Sequence, residues 1–127
     1  MLKQMRMQLI HYGALKFDTN RWVEPYQRLG NPKPYGGLWT SPLNSQYSWK
    51  HWCEVEDFEV KRLRKSFKLT IKGNILVVTK DTSYIDLDEL RRLMVVAIYL
   101  PESQIGNKAF WGWDCETVFI LNKDCIK

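Results

Sequence analysis

The sequence lacks the long apolar segments that membrane and secreted proteins need. Its apolar runs stop well short of the ~18 to 20 residues that cross a bilayer. Residues 1–13 also lack the extended apolar stretch of a secretion signal. We therefore expect a cytoplasmic protein with no membrane partner.

Cysteine and histidine are too few, and wrongly spaced, for a zinc site. The cysteines Cys53, Cys115 and Cys125 form no Cys-x-x-Cys pair, and only His11 and His51 could complete a ligand set. We expect no metal. Without a secretion signal, an odd number of cysteines favours reduced thiols that pack in the core.

Length and composition predict one globular domain over residues 1–127. The chain has 127 residues, of which 45% are hydrophobic and 26% charged. At this size a core forms without disulfides. The net charge of +5 and the pI near 9.2 favour an anionic partner, such as nucleic acid, an acidic protein or a phosphorylated cofactor. The densest basic run, residues 61–65, follows the acidic run 54–59, which indicates paired, solvated surface rather than a phosphate-binding patch.

Periodicity and turn residues predict an α+β fold with short strands. A helix is expected from a cap at Asn44 or Ser45 to about Glu54, and a second from Asp86 towards Pro101. The alternation around Gly73-Asn74 indicates a hairpin. The remaining strands are expected at residues 6–12, 38–41 and 117–121, whereas 16–34 is expected to be irregular.

Three short segments carry the candidate chemistry. The first is Leu-Ile-His-Tyr-Gly at 9–13, where a glycine follows a histidine. The second is Gly-Gly-Leu-Trp-Thr-Ser-Pro at 36–42, where a flexible pair leads to a large ring and two hydroxyls. The third, 112–121, brings Asp114 and Glu116 to the start of a strand, where residues two apart face the same way.

In this order, the three segments resemble the mono-ADP-ribosyltransferase family, in its diphtheria-toxin-like and poly(ADP-ribose)-polymerase-like branch. The resemblance implies a small split antiparallel sheet with two main helices. It implies that NAD is the substrate and that Trp39 stands where the family usually has tyrosine. The implied NAD-binding residues are His11, Tyr12, Gly13, Trp39, Thr40 and Ser41. Glu116 is implied as the catalytic carboxylate, and Asp114 as the group that orients the acceptor.

The chemistry requires a carboxylate whatever the family. Cleavage of the nicotinamide–ribose bond passes through a sugar cation, which a nearby carboxylate stabilises. The expected function is transfer of ADP-ribose from NAD to a host protein or a nucleic acid, as a phage or bacterial effector would perform it. Free NAD hydrolysis is the same reaction with water as acceptor.

Structural explanations and another function class stay open at this stage. Taken singly, His11 and Trp39 fit a core, and Asp114 and Glu116 fit ordinary surface carboxylates. The alternative function is a non-catalytic basic module that binds nucleic acid or a partner protein.

Overall fold

The protein is rich in strands, with two short helices. The computed structural model describes residues 1–28 and 30–127. The strands are β1 (Leu2–Tyr12), β2 (Tyr26–Arg28), β3 (Asn31–Tyr35), β4 (Leu38–Pro42), β5 (Ser66–Val77), β6 (Val95–Leu100) and β7 (Thr117–Ile120). The helices are α1 (Trp49–Glu56) and α2 (Leu87–Arg92). Single 3-10 turns lie at Thr19–Arg21, Val60–Arg64, Glu102–Gln104, Lys108–Phe110 and Lys123–Cys125.

Five strands close into a barrel in the order β1-β4-β7-β6-β5, and β5 returns to β1. The longest ladder joins β1 to β5, from Leu2 opposite Leu76 to Tyr12 opposite Ser66. All neighbouring pairs are antiparallel except β5 and β6, which run parallel and are connected through α2. The short strands β2 and β3 form a separate two-stranded sheet.

The barrel interior is filled by alternate residues of its strands. Leu9, Leu69, Ile71 and Val118 belong to one buried cluster inside the barrel. A second cluster lies where α2 packs beside the barrel, and its members include Leu87, Leu90, Ile98, Leu100, Phe110, Trp113 and Phe119. Burial of this apolar area is the main stabilising term for the fold.

Both helices begin at side-chain caps. The Ser48 hydroxyl accepts the amide hydrogen of His51 at the start of α1, three residues beyond the expected Ser45. The Asp86 carboxylate accepts the amide hydrogens of Asp88 and Glu89, as its position in the sequence predicts. α1 ends at Glu56, because the next residue, Asp57, adopts a left-handed φ of 51°.

The expected split antiparallel sheet with two main helices is wrong. The main sheet is a closed five-stranded barrel that contains a parallel pair, and the helices have 8 and 6 residues. Two local misinterpretations account for most of the difference, one at Gly73 and one at Met94.

Gly73 is part of a continuous strand rather than a hairpin turn. Its φ of +153° is one that residues with a side chain rarely adopt, and it pairs with Met5 of β1. A Cβ at this position would lie 2.8 Å from Cγ2 of Val96, so the glycine also permits close packing of the strands. Backbone conformation and close packing, rather than chain reversal, explain the glycine.

The expected helix from Asp86 towards Pro101 ends at Arg92, and its second half is strand β6. Met94 adopts a left-handed φ of +62°, which breaks the helical path. The next segment, Val95–Leu100, is rich in residues that favour strands, and it completes the barrel between β5 and β7. In the described part of the chain, no helix is long and apolar enough to span a membrane.

Candidate functional site

A cavity of about 270 Å³ lies beside the strands β1 and β4 of the barrel. Its walls come from the end of β1, from β4, from the start of α1 and from the segment before β7. Residues of β3 and of the 3-10 turn Val60–Arg64 complete it. The volume lies just below the roughly 300 to 1,000 Å³ of small-molecule pockets, so it suits one ring and a sugar better than a whole dinucleotide.

Six of the eight residues predicted from the sequence line this cavity. They come from three segments that are far apart in the chain, and they are His11, Tyr12, Trp39, Thr40, Ser41 and Asp114. The two others lie elsewhere, Gly13 beside a neighbouring hollow and Glu116 in an open groove. The roles of all eight residues stay predictions.

His11 is held in one tautomer by the neighbouring strand. Its Nδ1 atom lies 2.7 Å from the main-chain oxygen of Trp39. Because a carbonyl only accepts, Nδ1 carries the proton, and Nε2 of the neutral ring is left as an acceptor. Burial lowers the pKa of His11, the Trp39 carbonyl opposes this, and nearby Arg62 lowers it further. A neutral His11 can accept a hydrogen bond from a ligand hydroxyl or amide.

Trp39 belongs to an aromatic wall rather than standing alone. Its ring centroid lies 4.9 Å from that of Trp113 in an edge arrangement and 4.4 Å from that of Phe119. These geometries are favourable for aromatic pairs and fix the indole in place. The Lys33 Nζ atom lies 5.2 Å from the centre of the Trp39 ring, within cation–π range. The wall is therefore rigid and carries a positive charge on one side.

Thr40 and Ser41 use their hydroxyl groups to hold the site together. Both residues are buried, and the Thr40 hydroxyl donates to the main-chain oxygen of Val118 at 2.7 Å. The Ser41 oxygen accepts the amide hydrogen of Trp49 at 3.0 Å, which ties α1 to β4. These contacts give both residues a structural role at the wall of the cavity.

Gly13 lies next to Arg62, and its positive φ explains why it is a glycine. Its φ is +112°, and its amide donates to the main-chain oxygen of Lys65 at 2.8 Å. A Cβ on Gly13 would lie 3.3 Å from an Arg62 guanidinium nitrogen. Arg62 also pairs with Glu59 at 3.1 Å, and both side chains border the cavity. The expected locally paired basic run is thus found here, at the rim of the site.

Glu116 faces away from the cavity. Its carboxylate accepts hydrogen bonds from the Ser45 hydroxyl and, at 2.5 Å, from the Tyr99 hydroxyl. Burial, followed by the bond to Glu116, raises the pKa of Tyr99, so this phenol remains a donor. The groove beside Glu116 includes Arg6 and Gln8. Of the two predicted carboxylates, Asp114 is the one that borders the cavity.

Sequence reasoning missed three charged residues at the cavity: Lys33, Glu59 and Arg62. The sequence left open whether Trp49 or Tyr47 is a second aromatic clamp and whether Trp111 or Trp113 forms a pocket wall, and the cavity is lined by Trp49 and Trp113. Only the chain path, which folds the turn Val60–Arg64 against β1, brings Arg62 to His11. Within residues 1–28 and 30–127, no group of three His, Cys, Asp or Glu side chains could hold a metal ion.

Comparison with protein-family models, curated proteins and solved structures finds no match to this chain. The argument for a function therefore depends on the site itself.

Proposed function

We propose that the protein binds NAD with its nicotinamide–ribose end in the cavity and transfers ADP-ribose to a macromolecule. The observation that carries this proposal is that His11, Trp39 and Asp114, from three distant segments, border one cavity. The aromatic wall can pack against the flat nicotinamide ring, and the neutral imidazole can accept a hydrogen bond from a ribose hydroxyl. The carboxylate can stabilise the sugar cation that develops. The nicotinamide ring packs against Trp39, and His11 Nε2 accepts from the ribose.

Two cations at the rim suit the remainder of the dinucleotide. Lys33 and Arg62 both border the cavity, and Arg62 is exposed. Because the cavity holds only about 270 Å³, the diphosphate must leave it at the rim. Guanidinium and ammonium groups there bind phosphate oxygens through charge-assisted hydrogen bonds. On binding, the nicotinamide end of NAD therefore loses part of its hydration shell, whereas the adenosine stays outside the cavity.

The reaction breaks the bond between C1′ of the ribose and the nicotinamide nitrogen. The bonding electron pair goes to that nitrogen, which neutralises the pyridinium and releases nicotinamide. An acceptor lone pair then forms the new bond to C1′, and the acceptor loses a proton. Asp114 stabilises the positive sugar from the cavity wall. A charged hydrogen bond of about 1.5 to 3 kcal/mol corresponds to roughly a ten- to hundredfold effect on rate.

The first test is nicotinamide release from NAD, measured by chromatography on the purified protein. The wild type should release nicotinamide, and Asp114→Asn should slow the release by about ten- to hundredfold. Asp81→Asn is the matched control, because Asp81 is also exposed but does not border the cavity. Glu116→Gln separates the two carboxylates, since a loss confined to this variant would give the catalytic role to Glu116 instead.

The second test is binding, which does not require turnover. NAD at about one hundred times its Kd should stabilise the folded protein by about 2.7 kcal/mol, seen as a raised melting temperature. Trp39→Phe should weaken this effect, whereas Trp111→Phe should not, because Trp111 is 58% exposed and outside the cavity. If NAD causes neither nicotinamide release nor stabilisation of the protein, the proposal is overturned and the non-catalytic binding module remains.

A further inference from the structure

The two longest strands contain no acidic residue. β1 and β5 pair along their whole length, and their Lys and Arg residues are Lys3, Arg6, Lys68 and Lys72. The chain has 14 Asp and Glu residues, none of which lies in these strands. The β1–β5 part of the barrel therefore has a positive charge of its own.

Three of these cations share the outer face of the barrel. Leu9, Leu69 and Ile71 point inward, so by alternation the exposed Arg6, Lys68 and Lys72 point outward. Arg6 lies directly opposite Lys72 in the register. Uncharged polar residues fill the places between them, namely Gln4, Gln8, Thr70 and Asn74.

A fourth cation lies beside this face. The amide of Lys127 donates to the main-chain oxygen of Thr70 at 2.8 Å, and Ile126 bridges to Ile71. This pairing brings exposed Lys127 next to the part of β5 between Lys68 and Lys72. We call the set Arg6, Lys68, Lys72 and Lys127 the basic face.

The basic face forms no ion pair within the described residues, where the four ion pairs involve Arg21, Arg62 and Arg91. Arg6 shares a groove with Glu116, whose carboxylate is hydrogen-bonded to Ser45 and Tyr99. Like charges directly opposite on a sheet destabilise it. The pair of Arg6 and Lys72 therefore costs folding stability, which a bound polyanion would offset.

We propose that the basic face binds the phosphodiester backbone of a nucleic acid. Lys68 and Lys72 are four residues apart on one strand, a distance of about 13 Å. This distance corresponds to roughly four steps of about 3.4 Å along the axis of a duplex. The interleaved amide and hydroxyl side chains are donors of the kind that contact phosphate and sugar oxygens.

The composition of the face favours a polyanion over other partners. No aromatic side chain occurs among the outward residues 4, 6, 8, 68, 70, 72 and 74, and their one arginine, Arg6, is exposed, so these positions lack the desolvated anchor that dominates protein–protein binding. They also offer no apolar side chain for insertion into a lipid surface, and Ile10, which lies opposite Lys68, is half-buried. Binding by charge and polar contact alone suits a phosphate backbone.

The test is fluorescence anisotropy with labelled oligonucleotides of about 20 nucleotides, as single-stranded DNA, single-stranded RNA and duplex DNA. Three or four phosphate contacts on a single strand predict a slope of about 2 to 3 in log Kd against log salt. The Kd should therefore rise roughly 20- to 50-fold between about 50 and 200 mM salt. The three oligonucleotides decide which form binds best.

Lys68→Gln/Lys72→Gln should lower the slope by about 1.4, because each lost single-strand contact removes about 0.7. Lys108→Gln is the control, since Lys108 is exposed on the 3-10 turn Lys108–Phe110, away from β1 and β5. The melting temperature of the double variant should be equal to or slightly above that of the wild type, because Lys72→Gln removes the repulsion from Arg6, and this separates lost binding from lost folding. Absence of binding at about 50 mM salt, or an unchanged slope in the double variant, would overturn the proposal. Stronger binding to polyglutamate or to anionic vesicles than to any oligonucleotide would also overturn it.

That the bound nucleic acid is also the ADP-ribose acceptor rests on the proposed function, whereas the binding does not. With labelled NAD, label should appear on the oligonucleotide, and less of it with Lys68→Gln/Lys72→Gln. Nicotinamide release without nucleic acid should be the same in that variant and the wild type. Nicotinamide release without oligonucleotide binding would refute only the proposal that the basic face binds nucleic acid. Oligonucleotide binding without nicotinamide release would refute only the proposed NAD reaction.

Discussion

The imidazole of His11 and the backbone of Trp39 are joined by a hydrogen bond of 2.7 Å between Nδ1 and the carbonyl oxygen. The two residues are 28 positions apart in the sequence, on β1 and β4. The bond fixes the ring orientation at the mouth of the cavity. Protonation would add a positive charge to this half-buried ring. The nearby guanidinium of Arg62 disfavours that charge.

Stability should fall in mildly acidic solution because of His11. Its pKa in the folded protein is lowered, mainly by burial, from the usual 6.5. The unfolded chain therefore binds the proton more readily, and the free energy of unfolding decreases as the pH falls below about 6.5. Above that pH the ring is neutral in both states and the effect disappears. His11→Gln should flatten this part of the pH profile, whereas His51→Gln should leave it, as followed by urea denaturation.

Removing the Tyr99 hydroxyl should destabilise the fold and leave Glu116 poorly satisfied. Tyr99→Phe deletes the 2.5 Å hydrogen bond to the carboxylate but keeps the ring. Hydrogen bonds to charged groups contribute about 1.5 to 3 kcal/mol, so a decrease of this size in the free energy of unfolding is expected. A double-mutant cycle with Glu116→Gln should recover a coupling energy. Additive losses in the cycle would contradict the contact.

Gly37→Ala should be much more damaging than Gly30→Ala. Both glycines have a left-handed φ, +63° and +71°, so the backbone cost for alanine, about 1 to 2 kcal/mol, is similar. A Cβ on Gly37 would also lie 2.6 Å from the Ile120 oxygen and 2.6 Å from the Phe119 ring, whereas Gly30 has open space. In thermal unfolding, the melting temperature of Gly30→Ala should be clearly higher than that of Gly37→Ala. Equal melting temperatures would contradict this packing.

Met94→Gly should stabilise the protein. Met94 is 76% exposed and has a left-handed φ of +62°, so its side chain gives little packing and its backbone is strained. Relief of about 1 to 2 kcal/mol exceeds the entropic cost of glycine, about 0.5 to 1 kcal/mol. Leu93→Gly is the control, because Leu93 is also exposed but has an ordinary φ of −83° and should only lose stability. Chemical denaturation of the two variants gives the comparison.

Local patterns in the sequence predicted single elements better than their assembly. The strands at β1, β4 and β7 and the cap at Asp86 follow from alternation and capping, which act over a few residues. The parallel pairing of β5 with β6 depends on contacts between distant segments, so alternation along either strand does not reveal it. The sequence alone does not distinguish a glycine required for close packing, such as Gly73, from a glycine required for a turn.

The candidate site shows the same division. The motifs predict that His11, Trp39, Asp114 and Glu116 lie together. The first three border one cavity, whereas Glu116, the expected catalytic carboxylate, lies in a separate groove. Arg62 lies in the basic run that the sequence predicts to be paired surface, and it forms an ion pair with Glu59 at 3.1 Å. The turn that carries this pair folds against the end of β1, a contact between distant segments that local sequence patterns do not predict.

The register of β1 also has a consequence for biosynthesis. β1 finds its main partner in β5, and the ring of strands closes only through residues up to Ile120. During translation the apolar side chains Met5, Met7 and Leu9 therefore remain without their native neighbours until the strands from β4 to β7 have been made. Such distant pairing slows folding, and apolar side chains that stay exposed in the meantime favour aggregation of the nascent chain.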